Sequence, residues 1–311
     1  MSELGKKLAE RWLTLLVLPG ALWVVFAAAA VMLGHRRPFD VGALITHAAE
    51  WTRTTNERVV ILLVALSATA AIAGLAAQAL GSAAERVTLA ANWRMWRLPW
   101  CWLANALVLR REAMWTKAHV EYYRLSELAY RALVDGGRMN PGQRLRAYQR
   151  RARIAPERPD RPTWCGDRLN AAAVRVDRDL RVDLATVWPS LWLLLSQEVR
   201  DELAARRQGL TRGATLIGWA IVYVPLAAWW WPAILISAGC VVAGRYRMRA
   251  ASDTYGELVE AVVRTYVGDL TTKLGVPNGD ALTALLHTEP PAPDPSAQPR
   301  RSTPGVAEPD A

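Results

Sequence analysis

Three uncharged apolar runs set the terms for any fold of this chain: residues 13–34, 59–81 and 214–244 contain no Asp, Glu, Lys, Arg or His. At 1.5 Å of rise per residue, about 20 helical residues cross the roughly 30 Å hydrocarbon core of a bilayer, and each run is long enough. A helix satisfies its own backbone hydrogen bonds, which is the condition for entering lipid. The runs predict an all-α, multi-pass helical membrane protein with about four transmembrane helices. A mean hydropathy of +0.06 conceals this, because very polar stretches separate the runs.

The first run carries Pro19-Gly20, a kink that membrane helices tolerate. A cleaved signal peptide is its rival reading, since Lys6, Lys7 and Arg11 precede it and Ala27 to Ala30 offer a cleavage site. The run is longer than the usual apolar core of a signal. In the second run Gln78 is the only strongly polar residue, and Ala65, Ala68, Ala71 and Gly74 recur as small residues that allow close helix packing. The third run, 31 residues, is about 46 Å as one straight helix, too long for a simple span. Trp229-Trp230-Trp231-Pro232 divides it. Tryptophan prefers the membrane interface and proline suits a turn, so a hairpin from about Leu210 to about Tyr246 is expected, with one tilted span as the alternative.

Charge orients the spans. Segment 35–58 has four basic and three acidic residues, whereas 82–213 has 24 basic and 14 acidic. Arg86, Arg94 and Arg97 follow the second run, Arg206, Arg207 and Arg212 precede the third, and Arg245, Arg247 and Arg249 follow it. Basic flanks favour the cytoplasmic side, which predicts a plasma-membrane protein with both termini in the cytoplasm. The expected organisation is a transmembrane pair in 1–81, an arginine-rich helical cytoplasmic region in 82–209, a transmembrane hairpin in 210–246 and an amphipathic helix region in 247–287. The last segment, 288–311, has seven prolines and almost no bulky apolar residue, the composition of a disordered tail.

Within the cytoplasmic region, 93–115 holds five of the 15 tryptophans. Trp93, Trp96, Trp100 and Trp102, with Arg94, Arg97, Arg110 and Arg111, bracket an apolar stretch too short to span. Tryptophan and arginine at both ends suit a segment lying among lipid headgroups, and the alternative is a buried helix. From 111 to 134, Met114, Ala118, Tyr122, Leu125, Ala129 and Ala132 form one face of a helix ended by Asp135-Gly136-Gly137. Residues 138–162 carry eight arginines, peaking at Arg150, Arg151 and Arg153. Each cation near an anionic leaflet contributes about 1 kcal/mol, so anionic lipid or a protein partner is a fitting contact. No reader element or stacking platform speaks for nucleic acid. From 253 to 274, Leu258, Val262, Tyr266, Leu270 and Leu274 define another amphipathic helix stopped by Gly275-Val276-Pro277.

Residues that carry chemistry are sparse. Cys101, Cys165 and Cys240 lie far apart, and His35, His47, His119 and His287 lack ligand spacing. Trp164-Cys165-Gly166 is like a redox motif, but Arg168 stands where the resolving thiol would be. Asp177, Asp179 and Asp183 alternate with Arg175, Arg178 and Arg181, the pattern of a charge-paired surface. No residue set calls for a catalytic site, a cofactor or a metal.

The most distinctive block is Pro162-Thr163-Trp164-Cys165-Gly166-Asp167, followed by Asp183 and then Trp188-Pro189-Ser190-Leu191-Trp192. Gly166 tolerates backbone angles other residues avoid, and Asp167 suits a helix cap. Asp183 is a second cap or an arginine's partner, Trp188 and Trp192 share a helix face, and Pro189 fits a first turn. The block resembles a family of bacterial integral membrane proteins, common in actinobacteria, whose cytoplasmic segment reads Pro-Thr-x-x-Gly-(Asn/Asp), a helix, an aspartate, then Trp-Pro-x-Leu. The spacing is similar, 17 residues from Gly166 to Asp183 and five more to Trp188. The likeness covers about 160–275, with Arg181 and Val182 departing from the tyrosine and glycine common there. It implies architecture and no activity. The expectation is a non-enzymatic interaction or scaffold protein that meets a protein partner or its own copy at the bilayer. An oligomeric transporter or channel component and an enzyme on lipid-linked substrates are the alternatives.

Overall fold

In a computed structural model, residues 18–35, 38, 40, 42, 56–137 and 140–287 are described. Among these residues the regular structure is all helical. The helices are α1 (Leu18–Leu33), α2 (Asn56–Leu89), α3 (Trp100–Val134), α4 (Pro141–Ile154), α5 (Trp164–Leu180), α6 (Leu184–Leu194), α7 (Gln197–Tyr223), α8 (Pro232–Leu274) and α9 (Gly279–Leu286). Short 3₁₀ turns, Trp93–Met95 and Val224–Ala228, lie after α2 and α7. The tail from 288 and the start of the first run, including the cleavage alternative's basic residues, lie outside the described residues.

An apolar half consists of α1, α2, the second half of α7 and the start of α8. Its core joins Ala30, Ala73, Ala77, Trp219, Tyr223, Leu226, Trp230 and Ala233. α2 runs antiparallel to α7: Gly218 sits on Ala77 and Gly81 on Thr215. A Cβ at Gly81 would lie 2.9 Å from the Thr215 Cα, so only glycine permits this approach. The packing face of α2 is Ala70, Ala73, Gly74, Ala77 and Gly81. Of the small residues singled out in the sequence, Gly74 belongs to it, while Ala65, Ala68 and Ala71 point outward.

The third apolar run is divided between α7, which ends at Tyr223, and α8, which starts at Pro232. α7 and α8 pack antiparallel around a turn at 224–231, and the Ser237 hydroxyl donates to the Ala220 carbonyl at 2.9 Å. The Trp230 indole donates to the Pro38 carbonyl at 3.0 Å, so the hairpin tip meets the α1–α2 connection. Phe26 stacks on Trp230 at 5.9 Å. Two stretches, Leu63–Leu89 and Gln197–Ala228, are long and apolar enough to cross a membrane. The apolar part of α1 and the 13 residues that open α8, 232–244, are shorter.

The polar half is built on the other ends of the same helices. α7 and α8 continue through 209/210 and 246/247 without a break, so neither expected domain boundary is a helix end. α5, α6 and α9 pack on them around Val176, Val182, Leu191, Leu203, Val263 and Leu282. The amphipathic face predicted on α8 is shifted slightly: Val259, Val262, Val263 and Leu270 are buried, while Leu274 is 41% exposed. α3 and α4 pair with each other as a hairpin at the side. α3 starts at Trp100 and runs unbroken to Val134, joining what the sequence suggests are an interfacial segment and a separate helix. Gly136 at φ 75° and Gly275 at φ 66° end α3 and α8, as the sequence predicts.

Candidate functional site

The 162–192 block forms a joint that fastens the end of α2 to the polar half. Thr163 caps α5, accepting from the Gly166 N–H at 3.1 Å, and its hydroxyl donates to the Thr88 carbonyl. Arg161 donates to the Leu89 carbonyl at 3.2 Å and to Asn170 at 3.2 Å. Gly166 lies inside α5 with an ordinary helical angle, so its role is space: a Cβ there would meet the Leu89 carbonyl oxygen at 2.6 Å. This corrects the expectation of an unusual backbone angle. Pro162 leads the chain into the cap from the turn before α5.

Asp167 is 3% exposed and does not cap the helix as the sequence suggested. Its Oδ1 accepts from the Asp160 and Arg161 backbone N–H groups at 3.0 and 2.8 Å, and its Oδ2 from Arg111 at 2.7 Å. Burial pushes its carboxyl up from the ordinary value, against the pull of Arg111 and the two N–H groups. Arg111 also donates to the Ile154 carbonyl at 2.6 Å, tying α3 to the end of α4. The next residue, Arg168, is 4% exposed and reaches Asp253 on α8 at 2.5 Å. Two buried charges in succession therefore hold α3, α5 and α8 together.

Downstream, Asp183 caps α6, accepting from the Ala185 and Thr186 N–H groups at 3.3 and 3.1 Å. The Thr186 hydroxyl, with these N–H groups, holds its carboxyl below the ordinary value against partial burial. Arg181 takes a left-handed conformation at the turn, φ 55°, and Val182 is fully buried. Trp188 and Trp192 share a face, with ring centroids 6.1 Å apart. Pro189 falls in the middle of α6, not in its first turn. Asp179 pairs with Arg178 at 3.1 Å and Arg264 at 2.5 Å, and Arg175 with Glu157 at 2.9 Å, a charge-paired surface.

The tryptophan-rich segment divides into two populations. Trp93 is buried and donates to the Asp160 carbonyl at 2.9 Å, and Arg94 pairs with the Asp160 carboxylate at 2.6 Å. Trp115 is buried and donates to the Ala155 carbonyl at 3.1 Å, and Trp96 packs on the Trp93 cluster. Trp100 and Trp102 are exposed beside Leu98 and Leu103, and Arg97 and Arg110 are exposed nearby. Protein contact claims the first group, and the exposed surface is Trp100, Trp102 and their aliphatic neighbours.

The basic cluster divides too. Arg151 lies over the rings of Trp115, Tyr122 and Tyr148 at 5.8, 5.2 and 5.4 Å, locking α4 onto α3. Arg150 and Arg153 are exposed, and the Arg153 carbonyl accepts from Arg249 at 3.3 Å. Arg249 in turn covers the Trp164 ring at 4.1 Å.

Compared with protein-family models, curated proteins and solved structures, the chain matches none.

A cleft of about 670 Å³ lies beside the joint, lined by Glu112, Glu157 and Asp160 together with Trp93, Val108 and Trp115. Each of these carboxylates already has an arginine: Arg158, Arg175 and Arg94 respectively. Among the described residues no three His, Cys, Asp or Glu side chains are grouped to hold a metal ion. Cys165 is buried, and burial pushes its thiol up, away from the nucleophilic thiolate. The arrangement positions helices. One feature had no distinct sequence signal, the outer surface of α3–α4, where among the described residues Tyr130, Leu133, Val134 and Leu145 are 69, 66, 67 and 56% exposed.

Proposed function

We propose that this chain is a membrane-anchored interaction protein with four crossings, both ends in the cytoplasm, and an α3–α4 arm that docks a protein partner or a second copy. The carrying observation is the arm's apolar surface, Tyr130, Leu133, Val134 and Leu145, on a hairpin whose inner face is already satisfied by α3–α4 packing. Tyr130, Leu133 and Val134 are neighbours on α3 at i, i+3 and i+4, and exposed apolar side chains grouped in this way mark interaction sites in soluble proteins. The apolar half supports the bilayer reading: Val60, Ile61, Val64, Ile72 and Leu75 of α2 and Ile234, Leu235 and Val242 of α8 all face outward. The likeness to the actinobacterial membrane family belongs to the same proposal.

A photoreactive residue at Leu133, placed in the full chain in cells, tests the arm. The expected result is a discrete crosslinked band, lost in a Leu133→Glu/Val134→Glu variant of unchanged abundance. A chain with no crosslink beyond background refutes the docking role. Labelling of single cysteines introduced at Ser190 and at Asp269 tests topology: both should react only from the cytoplasmic side.

A further inference from the structure

We infer that the groove between α1, α2, α7 and α8 is a binding site for one anionic phospholipid of the cytoplasmic leaflet. This rests on the bilayer reading above. The groove has a volume of about 760 Å³. One end is polar, with Ser82, Thr211, Arg212 and Arg247; the other is apolar, with Leu22, Phe26, Trp219 and Ile236. Among the described residues the lining holds two arginines and no acidic side chain.

The packing places the polar groups at one level. Gly213, next to Arg212, sits against the Met248 nitrogen, so Arg247 comes alongside across the α7–α8 contact. Gly81, next to Ser82, sits against Thr215 on the opposite side of α7. From Arg212 to Tyr223 the helix rises about 16 Å, close to half of a roughly 30 Å hydrocarbon core. A site with cations at the headgroup level and apolar walls to the midplane has the length and polarity of a single leaflet's lipid. Neutral hydrocarbon alone would leave the guanidiniums without a counter-charge, whereas a phosphodiester accepts from both in the fork geometry that arginine favours.

The experiment is thermal unfolding of the detergent-purified full chain, titrated with phosphatidylglycerol, with phosphatidylcholine and with inorganic phosphate. Phosphatidylglycerol should raise Tm to a plateau, with the other two giving little change. Arg212→Gln and Arg247→Gln should each weaken the apparent affinity about fivefold, and the double variant about 30-fold, the equivalent of about 1 kcal/mol per cation near an anionic headgroup. Equal stabilisation by phosphatidylcholine overturns the headgroup assignment, and equal stabilisation by phosphate overturns the lipid. Should the variants fold poorly, a photoreactive phosphatidylglycerol on the unaltered chain decides. Crosslinks in 208–219 support the site, and crosslinks spread over the outward face of α2 overturn it. A chain that stays soluble and monodisperse without detergent overturns instead the bilayer reading beneath it.

Discussion

Gly218→Ala and Gly239→Ala make the same chemical change on the two arms of one hairpin and should move stability in opposite directions. At Gly218 a Cβ would lie 2.7 Å from the Gly81 nitrogen and closer still to the Ala77 carbonyl oxygen. Both are backbone atoms of α2, so no side chain can swing aside. Relief requires α2 and α7 to part by on the order of 1 Å, and a gap of that size forfeits about a quarter to a half of each dispersion contact along the interface. Overpacking of this kind typically costs about 1–3 kcal/mol, and the rigid backbone on both sides places Gly218→Ala at the upper end. At Gly239 nothing lies within 4 Å of the added methyl, and the residue is helical and exposed. There alanine should stabilise by about 0.4–1 kcal/mol through helix propensity and reduced unfolded-chain freedom. The assay is thermal unfolding of each detergent-solubilised full chain, followed by alkylation of Cys240, which lies in the same half. Gly218→Ala should melt several degrees lower and Gly239→Ala slightly higher. Equal Tm values for the two variants would refute the close approach of α2 and α7.

Asp167→Ala should cost about 3 kcal/mol, because it removes the buried partner of the partly buried Arg111 and leaves two backbone N–H groups without their acceptor; limited proteolysis should then cut first around 155–162. Asp183→Ala should cost about 1 kcal/mol through the lost α6 cap, seen as a shift in denaturation midpoint. The folded-state pKa of Asp183 is depressed, so its contribution is full above the ordinary carboxylate pKa and is lost as pH falls through the depressed value; Asp183→Asn should keep the cap and flatten that acid limb of the stability profile. His119 is lowered by burial and then by Arg151, so its contribution is full above the ordinary histidine pKa and fades as pH falls below it; His119→Gln should reduce the pH dependence of α3–α4 amide exchange between pH 7 and about pH 5. Cys165 should resist maleimide at neutral pH in the folded protein while Cys101 reacts, as mass spectrometry of labelled peptides would show.

Local chemistry was legible in the sequence where a residue acts on its own neighbours. Gly136 and Gly275 stop their helices, Asp183 caps α6, and the Trp-Trp-Trp-Pro sequence turns the hairpin, each by effects confined to a few residues. The face of α2 was not legible, because alanine is so frequent there that periodicity cannot choose between Ala68 and Ala70; the partner helix makes that choice. The continuity of α7 and α8 was also hidden. Arginines at 206–212 and 245–249 mark a change of surroundings, which the sequence shows as a boundary although the backbone passes straight through. Asp167 illustrates the limit for the joint: its acceptor role depends on Arg111, 56 residues away, and on a turn shaped by Pro159 and Pro162.

An unbroken α8 gives the molecule a lever. Its 43 residues make a rod of about 65 Å, and the 30 residues beyond Gly244 reach about 45 Å into the polar half. A tilt of about 5° at the apolar end would sweep Leu274 through about 4 Å, on the order of one helical turn's pitch. Helices tilt by such amounts when the hydrocarbon thickness around them changes. On the bilayer reading proposed above, with α7 clamped alongside and Arg168–Asp253 gripping the shaft near its fulcrum, strain at the apolar end would reach the polar half as displacement of whole helices.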